Sequence, residues 1–208
     1  MLSIKYESIR LPFYGASRHY YDLFEDMVKL EKFLKSDYGQ LIEWISNEDI
    51  MTTWSGALFS FPLTADSLDW YIEDTNVAGE SDAFVYKEVE DITGKTVGHI
   101  SIGGISWKNR SARISRGFLA ERERGKGYCA GMIMAALKVG FDELGLHRIG
   151  LGLYDNNPAA LNCYKKCGFS VEGLSRDILW NNGKWWSMIE MSILEPEWKL
   201  LKRKEPVK

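Results

Sequence analysis

Apolar and polar positions change period several times along this chain, and the changes mark out its elements. From Val28 the pattern is regular, and residues 29–34 read as a first strand. Tyr38, Leu41, Ile42 and Ile45 keep helical spacing, with Asp37 as the candidate N-cap. Residues 52–62 read as a loop rich in bulky groups: Trp54, Phe59 and Phe61. Thr64 caps a second helix that runs to about Ile72, with Asp66 and Asp69 in its early turns. Residues 83–89 read as a strand and 91–95 as a hairpin turn. Residues 96–102 and 112–119 continue an antiparallel sheet. The longest helical stretch covers 128–144, with Met132, Ala135, Ala136, Val139 and Leu144 able to face a core and Gly145 at the C-cap. A strand over 148–154 follows, then a helix from Pro158 to about Lys166, ended by Gly168. Residues 171–179 and 185–194 are two strands joined by Asn181-Asn182-Gly183, a strong hairpin signal.

This pattern divides the chain into an N-terminal extension (1–26, with no clean period), one folded domain (27–195), and a basic C-terminal tail (196–208) expected to be solvated. The 208 residues suffice for one domain with a full core, and 45% hydrophobic against 26% charged residues excludes a disordered chain. The net charge of −3 argues against a nucleic-acid partner and is compatible with cationic amines. No apolar run is long enough for a bilayer, and Lys5, Glu7 and Arg10 interrupt any signal-like stretch, so no membrane is expected. Three cysteines do not suggest a disulfide framework, which fits a reducing, cytoplasmic setting. His19, His99 and His147 show no metal spacing. Cys163 and Cys167, one helical turn apart, read as small buried hydrophobes, so no metal is expected.

Chemistry concentrates between residues 118 and 169. Arg124-Gly125-Lys126-Gly127 follows a strand and opens a helix. Glycines let the backbone approach a ligand, and the helix start offers free N–H groups and a positive dipole end, so the expected ligand is a pyrophosphate. A P-loop is absent. Gly125, Gly127 and Gly131 are spaced one residue too far for a dinucleotide fingerprint. Taken alone, the segment is equally well read as a glycine-rich turn ahead of a helix.

Arg124-x-x-Gly127-x-Cys129 combines with Asn157, Ala160, Tyr164, Gly168 and Phe169 at intact spacings. This combination resembles the GNAT family of acetyl-coenzyme A-dependent acyltransferases. Cys129 replaces a small residue of that pattern, and a second register, Arg122-x-x-Gly125-x-Gly127, also matches. The resemblance implies an α/β fold: a mixed, mostly antiparallel sheet flanked by helices. It implies that acetyl-coenzyme A lies along Arg124, Gly125, Lys126, Gly127, Tyr128, Cys129 and Asn157. Its pantetheine would enter between diverging strands that end near Leu119 and Tyr154, pairing with the backbone of Phe118 and Leu119. Tyr164 would protonate the departing thiolate.

The family's usual glutamate, five positions before the asparagine, is Gly152 here, which leaves the base open among Asp155, Glu172, Glu190, Glu121 and Glu123. Glu190 stands out. It lies in an apolar strand where burial would raise its pKa, unless simple alternation turns it to water. By the same resemblance Trp54, Phe59 and Phe61 line the acceptor site, with Glu48 and Asp49 just before them. Aromatic faces and carboxylates favour a cation, whereas the alternative is that these rings pack the loop onto the sheet. The implied activity is acetyl transfer to the primary amine of a small molecule or a peptide N-terminus, by a monomer or homodimer. The layout is most similar to the ribosomal-protein-type branch. A coenzyme-binding regulatory module without turnover, supported by Gly152, and a protein-interaction module on the same fold are the other two classes.

Overall fold

The computed structural model describes Phe24 and residues 26–202. Seven strands form one sheet: β1 (Val28–Lys32), β2 (Phe84–Glu90), β3 (Thr96–Ser106), β4 (Ser111–Leu119), β5 (Arg148–Tyr154), β6 (Ser170–Asn181) and β7 (Lys184–Leu194), in the spatial order β1-β2-β3-β4-β5-β7-β6. All neighbours are antiparallel except β4 and β5. The helices are α1 (Tyr38–Trp44), α2 (Glu48–Ser55), α3 (Ala65–Ile72), α4 (Tyr128–Lys138), α5 (Pro158–Lys166) and α6 (Glu195–Lys202).

Alternation along β2 explains the layers. Phe84 and Tyr86 join a core with α4, α5 and α6 that includes Ile100, Ile133 and Leu151. Val85, between them, joins a second core with α1, α2 and α3 that includes Leu41, Met51 and Leu68. Successive strand residues face opposite sides, so one sheet serves two cores. Each fully buried Leu, Ile or Met contributes about 1.5–3 kcal/mol.

Three expectations are corrected. Residues 52–62 do not begin as a loop, because α2 runs through Trp54. Asn47 caps it by accepting from the Ile50 N–H, and Glu48 and Asp49 favour its positive end. The helical run expected to Leu144 stops as α-helix at Lys138, and Val139–Glu143 widens into a π turn closed by Leu144 N–H to Val139 O at 2.9 Å. The start of the expected solvated tail is α6. Its Trp198 is buried on Phe141, and its Nε1 donates to Asp142 Oδ1 at 3.0 Å. The rest of that tail, residues 203–208, and the 1–26 extension apart from Phe24 and Asp26 lie outside the described residues. No helix among the described residues is long and apolar enough to cross a membrane.

The feature that builds the site is the β4–β5 junction. These strands pair only from Ser111↔Arg148 to Ile114↔Leu151. Beyond it, β4 stays with β3 (Phe118↔His99, Leu119↔Gly98) and β5 stays with β7 (Gly152↔Glu190 to Tyr154↔Met188). The two strand ends therefore separate and leave a gap. Between Ser115 and Phe118, β4 also carries one residue more than β3 does between Ser101 and His99. That bulge puts Arg116 at φ 52, a left-handed conformation uncommon for a side-chain-bearing residue.

Candidate active site

Two chambers meet in the gap. The first, about 650 Å³, extends to Arg124, Gly125, Gly127 and Cys129. The second, about 340 Å³, extends to Arg113, Arg116, Gly152 and Met188. Thr53, Trp54, Gly117, Asn157, Ala160 and Tyr164 line both, so together they form one passage with Tyr164 at its middle.

The first chamber ends at the glycine-rich loop. Gly125 (φ 78) and Gly127 (φ 94) adopt backbone conformations that other residues rarely hold. Among the described residues, the backbone N–H groups of residues 125–129 have no hydrogen-bond acceptor. They open the eleven-residue helix α4, so donors and dipole point the same way. Arg124 stands over the Phe118 ring at 5.6 Å. Phe118, Leu119 and Cys129 also lie on this wall. Two other loop residues use their side chains elsewhere. Lys126 pairs with Glu123 at 2.8 Å, and together with Lys95 it holds that carboxyl below its ordinary range. Tyr128 donates to Glu90, whose hydrogen bond is the main cause raising the phenol to about 12. Neither Lys126 nor Tyr128 lines the chamber.

Helix α5 carries Tyr164 into the middle of the passage. Asn157 caps that helix by accepting from Ala160 N–H at 3.0 Å, and Pro158 fits its first turn. Phe169 N–H donates to Tyr164 O at 3.0 Å and its ring lies 6.2 Å away, which anchors the far end. Burial pushes the Tyr164 phenol well above its usual pKa, so it is a proton donor and not a phenolate at neutral pH.

The expected base and acceptor residues are placed differently. Glu190 does not line either chamber. It is partly exposed and pairs with Arg113 at 2.8 Å. Opposite it, a side chain at Gly152 would require the Met188 and Arg113 side chains to shift. A Cβ there would lie 2.5 Å from Met188 Sδ and 3.0 Å from Arg113 Nη2. Trp54 lines the passage yet is only 4% exposed, stacks on Phe59 at 5.5 Å, and donates from Nε1 to Arg116 O at 3.0 Å. Phe59 packs behind it against Trp70 and Tyr71, and Phe61 is exposed; neither is on the chamber walls. Packing thus accounts for most of that aromatic group.

Sequence reading missed Arg113, Arg116 and the buried pair behind them. His99 Nε2 lies 3.1 Å from Tyr71 OH, its Nδ1 has no partner, and burial lowers its pKa to about 3, so it is neutral. The bulge that aims Arg116 arises from β3–β4 register and leaves no local sequence signal. Glu88 is a second orphan, fully buried with both oxygens unpartnered and off the chamber walls; burial lifts it to about 9. No group of acids, histidines and cysteines suited to a metal occurs among the described residues.

Comparisons with known proteins bear on this geometry. A family model described as "Acetyltransferase (GNAT) domain" matches residues 28–170. Spermidine N(1)-acetyltransferase of Vibrio cholerae is 31% identical over 153 residues, 74% of this chain and 84% of that protein. The Escherichia coli K12 protein of the same name is 25% identical over 86% of this chain and 91% of its own length. A Bacillus subtilis protein provisionally named a ribosomal N-acetyltransferase, YdaF, is 27% identical over 62% of this chain and 67% of its own. The ribosomal-type branch is therefore not singled out. The crystal structure of the Vibrio cholerae enzyme in complex with coenzyme A and spermine superposes with a TM-score of 0.72 over 83% of this chain and 98% of that one, at 24% identity.

Proposed function

The chain belongs to the GNAT acetyltransferase family and uses acetyl-coenzyme A, and on that premise we propose that it acetylates the primary amine of a small molecule or a peptide N-terminus. The observation that carries the reading is the passage itself. It joins a loop of free N–H groups at one end to an open chamber at the other, with a protonated phenol between. In this reading the pyrophosphate rests on residues 124–129 and the pantetheine runs along Phe118 and Leu119. The thioester reaches Tyr164, and the amine enters from the second chamber. Attack gives a tetrahedral oxyanion. As the C–S bond breaks, Tyr164 gives its proton to the sulfur and free coenzyme A leaves, while the surplus proton on the attacking nitrogen passes to solvent and solvent restores the phenol. Glu190 supplies no base here, because its carboxylate is paired and off the wall.

The test combines two measurements. Acetyl-coenzyme A at 100 times its dissociation constant should stabilise the fold by about 2.7 kcal/mol. Free thiol should then appear with a primary amine and not with its tertiary counterpart. Arg124→Glu should weaken coenzyme binding while the protein stays folded. A substitution at Gly127 is a poor probe, since its Cβ would meet the Phe24 ring at 2.8 Å. Coenzyme binding without thiol release from any amine would favour a regulatory module, and no thermal shift would sink both readings.

A further inference from the structure

We infer that the acceptor amine also carries a carboxylate or equivalent anion, held by Arg116 with help from Arg113 at the far end of the passage. This rests on the acetyl-transfer reading and names the substrate class for the same site. Two arginines line the second chamber, and no acidic residue does. A guanidinium stays charged at any working pH, and a desolvated cation without a counter-charge is costly. Arg113 has its counter-charge in Glu190. Arg116 has no acidic partner among the described residues, and its Nε is buried without any hydrogen-bond acceptor.

What surrounds Arg116 shows that it is held and not adrift. The bulge fixes its backbone at φ 52, and Trp54 Nε1 grips its carbonyl. Its guanidinium lies over the Tyr71 ring, 4.9 Å from the centroid. Behind it stands His99, which burial keeps neutral, so that side adds no second positive charge and, being an imidazole, no negative one. Arg116 is half-buried, and its open side faces the chamber, so an anion bound there would supply the counter-charge this arginine lacks. Coenzyme phosphates do not supply it, because their loop belongs to the first chamber alone.

A polycation fits this wall poorly. The uncompensated charge of Arg116 opposes a spermidine chain reaching into the second chamber, and an arginine fork matches a carboxylate with two parallel hydrogen bonds. The nearest acid on the passage, Asp49, lies on the first chamber, one turn before Thr53 on α2. An α-amino acid, or a peptide end bearing an acidic side chain, offers the required pair of groups: an amine for the thioester and an anion for Arg116.

The test uses matched amines that differ only in a carboxylate: amino acids, their amides, the decarboxylated amines, and spermidine, each with acetyl-coenzyme A. We expect the carboxylate member of the best pair to win in kcat/KM on the order of 10²-fold. Arg116→Gln should erase that preference and leave the acetyl-coenzyme A thermal shift in place. Arg116→Lys, which keeps the charge, should retain part of it and serves as the folded control. Better turnover of spermidine or of the decarboxylated amines by the wild type would overturn the inference while upholding acetyl transfer. If no amine is turned over, binding still decides. N-acetyl amino acids should raise the melting temperature of the coenzyme A complex more than their amides do, and lose that advantage in Arg116→Gln. Equal shifts for acid and amide would overturn it.

Discussion

Single residues in this protein do work that their type alone does not announce. Trp54 looks like a pocket aromatic but is also a core residue: it is buried, stacked on Phe59 and hydrogen-bonded to the Arg116 carbonyl. Trp54→Ala is therefore expected to cost about 3–5 kcal/mol in denaturant unfolding. A variant that kept wild-type stability and lost only acceptor affinity would show that the core contribution is small. Tyr164→Phe keeps the ring and removes one proton. Turnover should fall by about 10² to 10⁴ with coenzyme affinity nearly unchanged, and full activity would remove Tyr164 from the mechanism. Glu88 gives a pH signature. Its folded pKa, about 9, lies above the ordinary value of 4.5, so the folded state holds the proton more tightly. Its contribution to stability is complete below about pH 4.5 and is lost as pH rises through about 9. Glu88→Gln should flatten that slope and be the more stable protein at pH 7 by on the order of 3 kcal/mol. Parallel urea midpoints for both proteins from pH 5 to 9 would show the slope comes from elsewhere.

Among elements, those with a local signature were legible and those made by long-range pairing were not. Strand β5 and helix α5 fall where alternation, Asn157-Pro158 and Gly168 put them. The two strands around Asn181-Asn182-Gly183 also form, each longer than its apolar core. Helix α2 carries bulky side chains in a pattern that reads as a loop, although Asn47-Glu48-Asp49, a cap followed by two acids, marks its start in the sequence. In helix α6 the large apolar residues are Trp198, Leu200 and Leu201, and only docking shows that Trp198 and Leu201 are buried while Leu200 is exposed. The cap of α5 gives an element-level prediction. Asn157→Ala should cost about 1 kcal/mol, while Asn157→Ser, which can still accept from Ala160 N–H, should recover most of it. Equal losses in both variants would mean that Asn157 stabilises by something other than capping.

For the molecule as a whole, the sequence motifs fall on the glycine-rich end of the passage and on its centre, and none falls on its other end. Residues 124–129 and Tyr164 sit in short motifs whose spacing survives in sequence. Arg113 and Arg116 reach the second chamber only through a bulge in β4 and the parting of β4 from β5. Those are relations between strands dozens of residues apart, and no window along the chain contains them. The charge of that chamber is accordingly a property of topology.

The short β4–β5 ladder has a mechanical side. Strands β1 to β4 make one plate and β5, β7 and β6 another, and the seam between them spans only Ser111–Ile114 against Arg148–Leu151. A sheet so joined bends along its seam before either plate deforms. Amides bridging β4 and β5 should therefore exchange with deuterium faster than those inside the β3–β4 or β5–β7 ladders. A coenzyme wedged into the gap would act as a splint, and those bridging amides should slow when acetyl-coenzyme A is added.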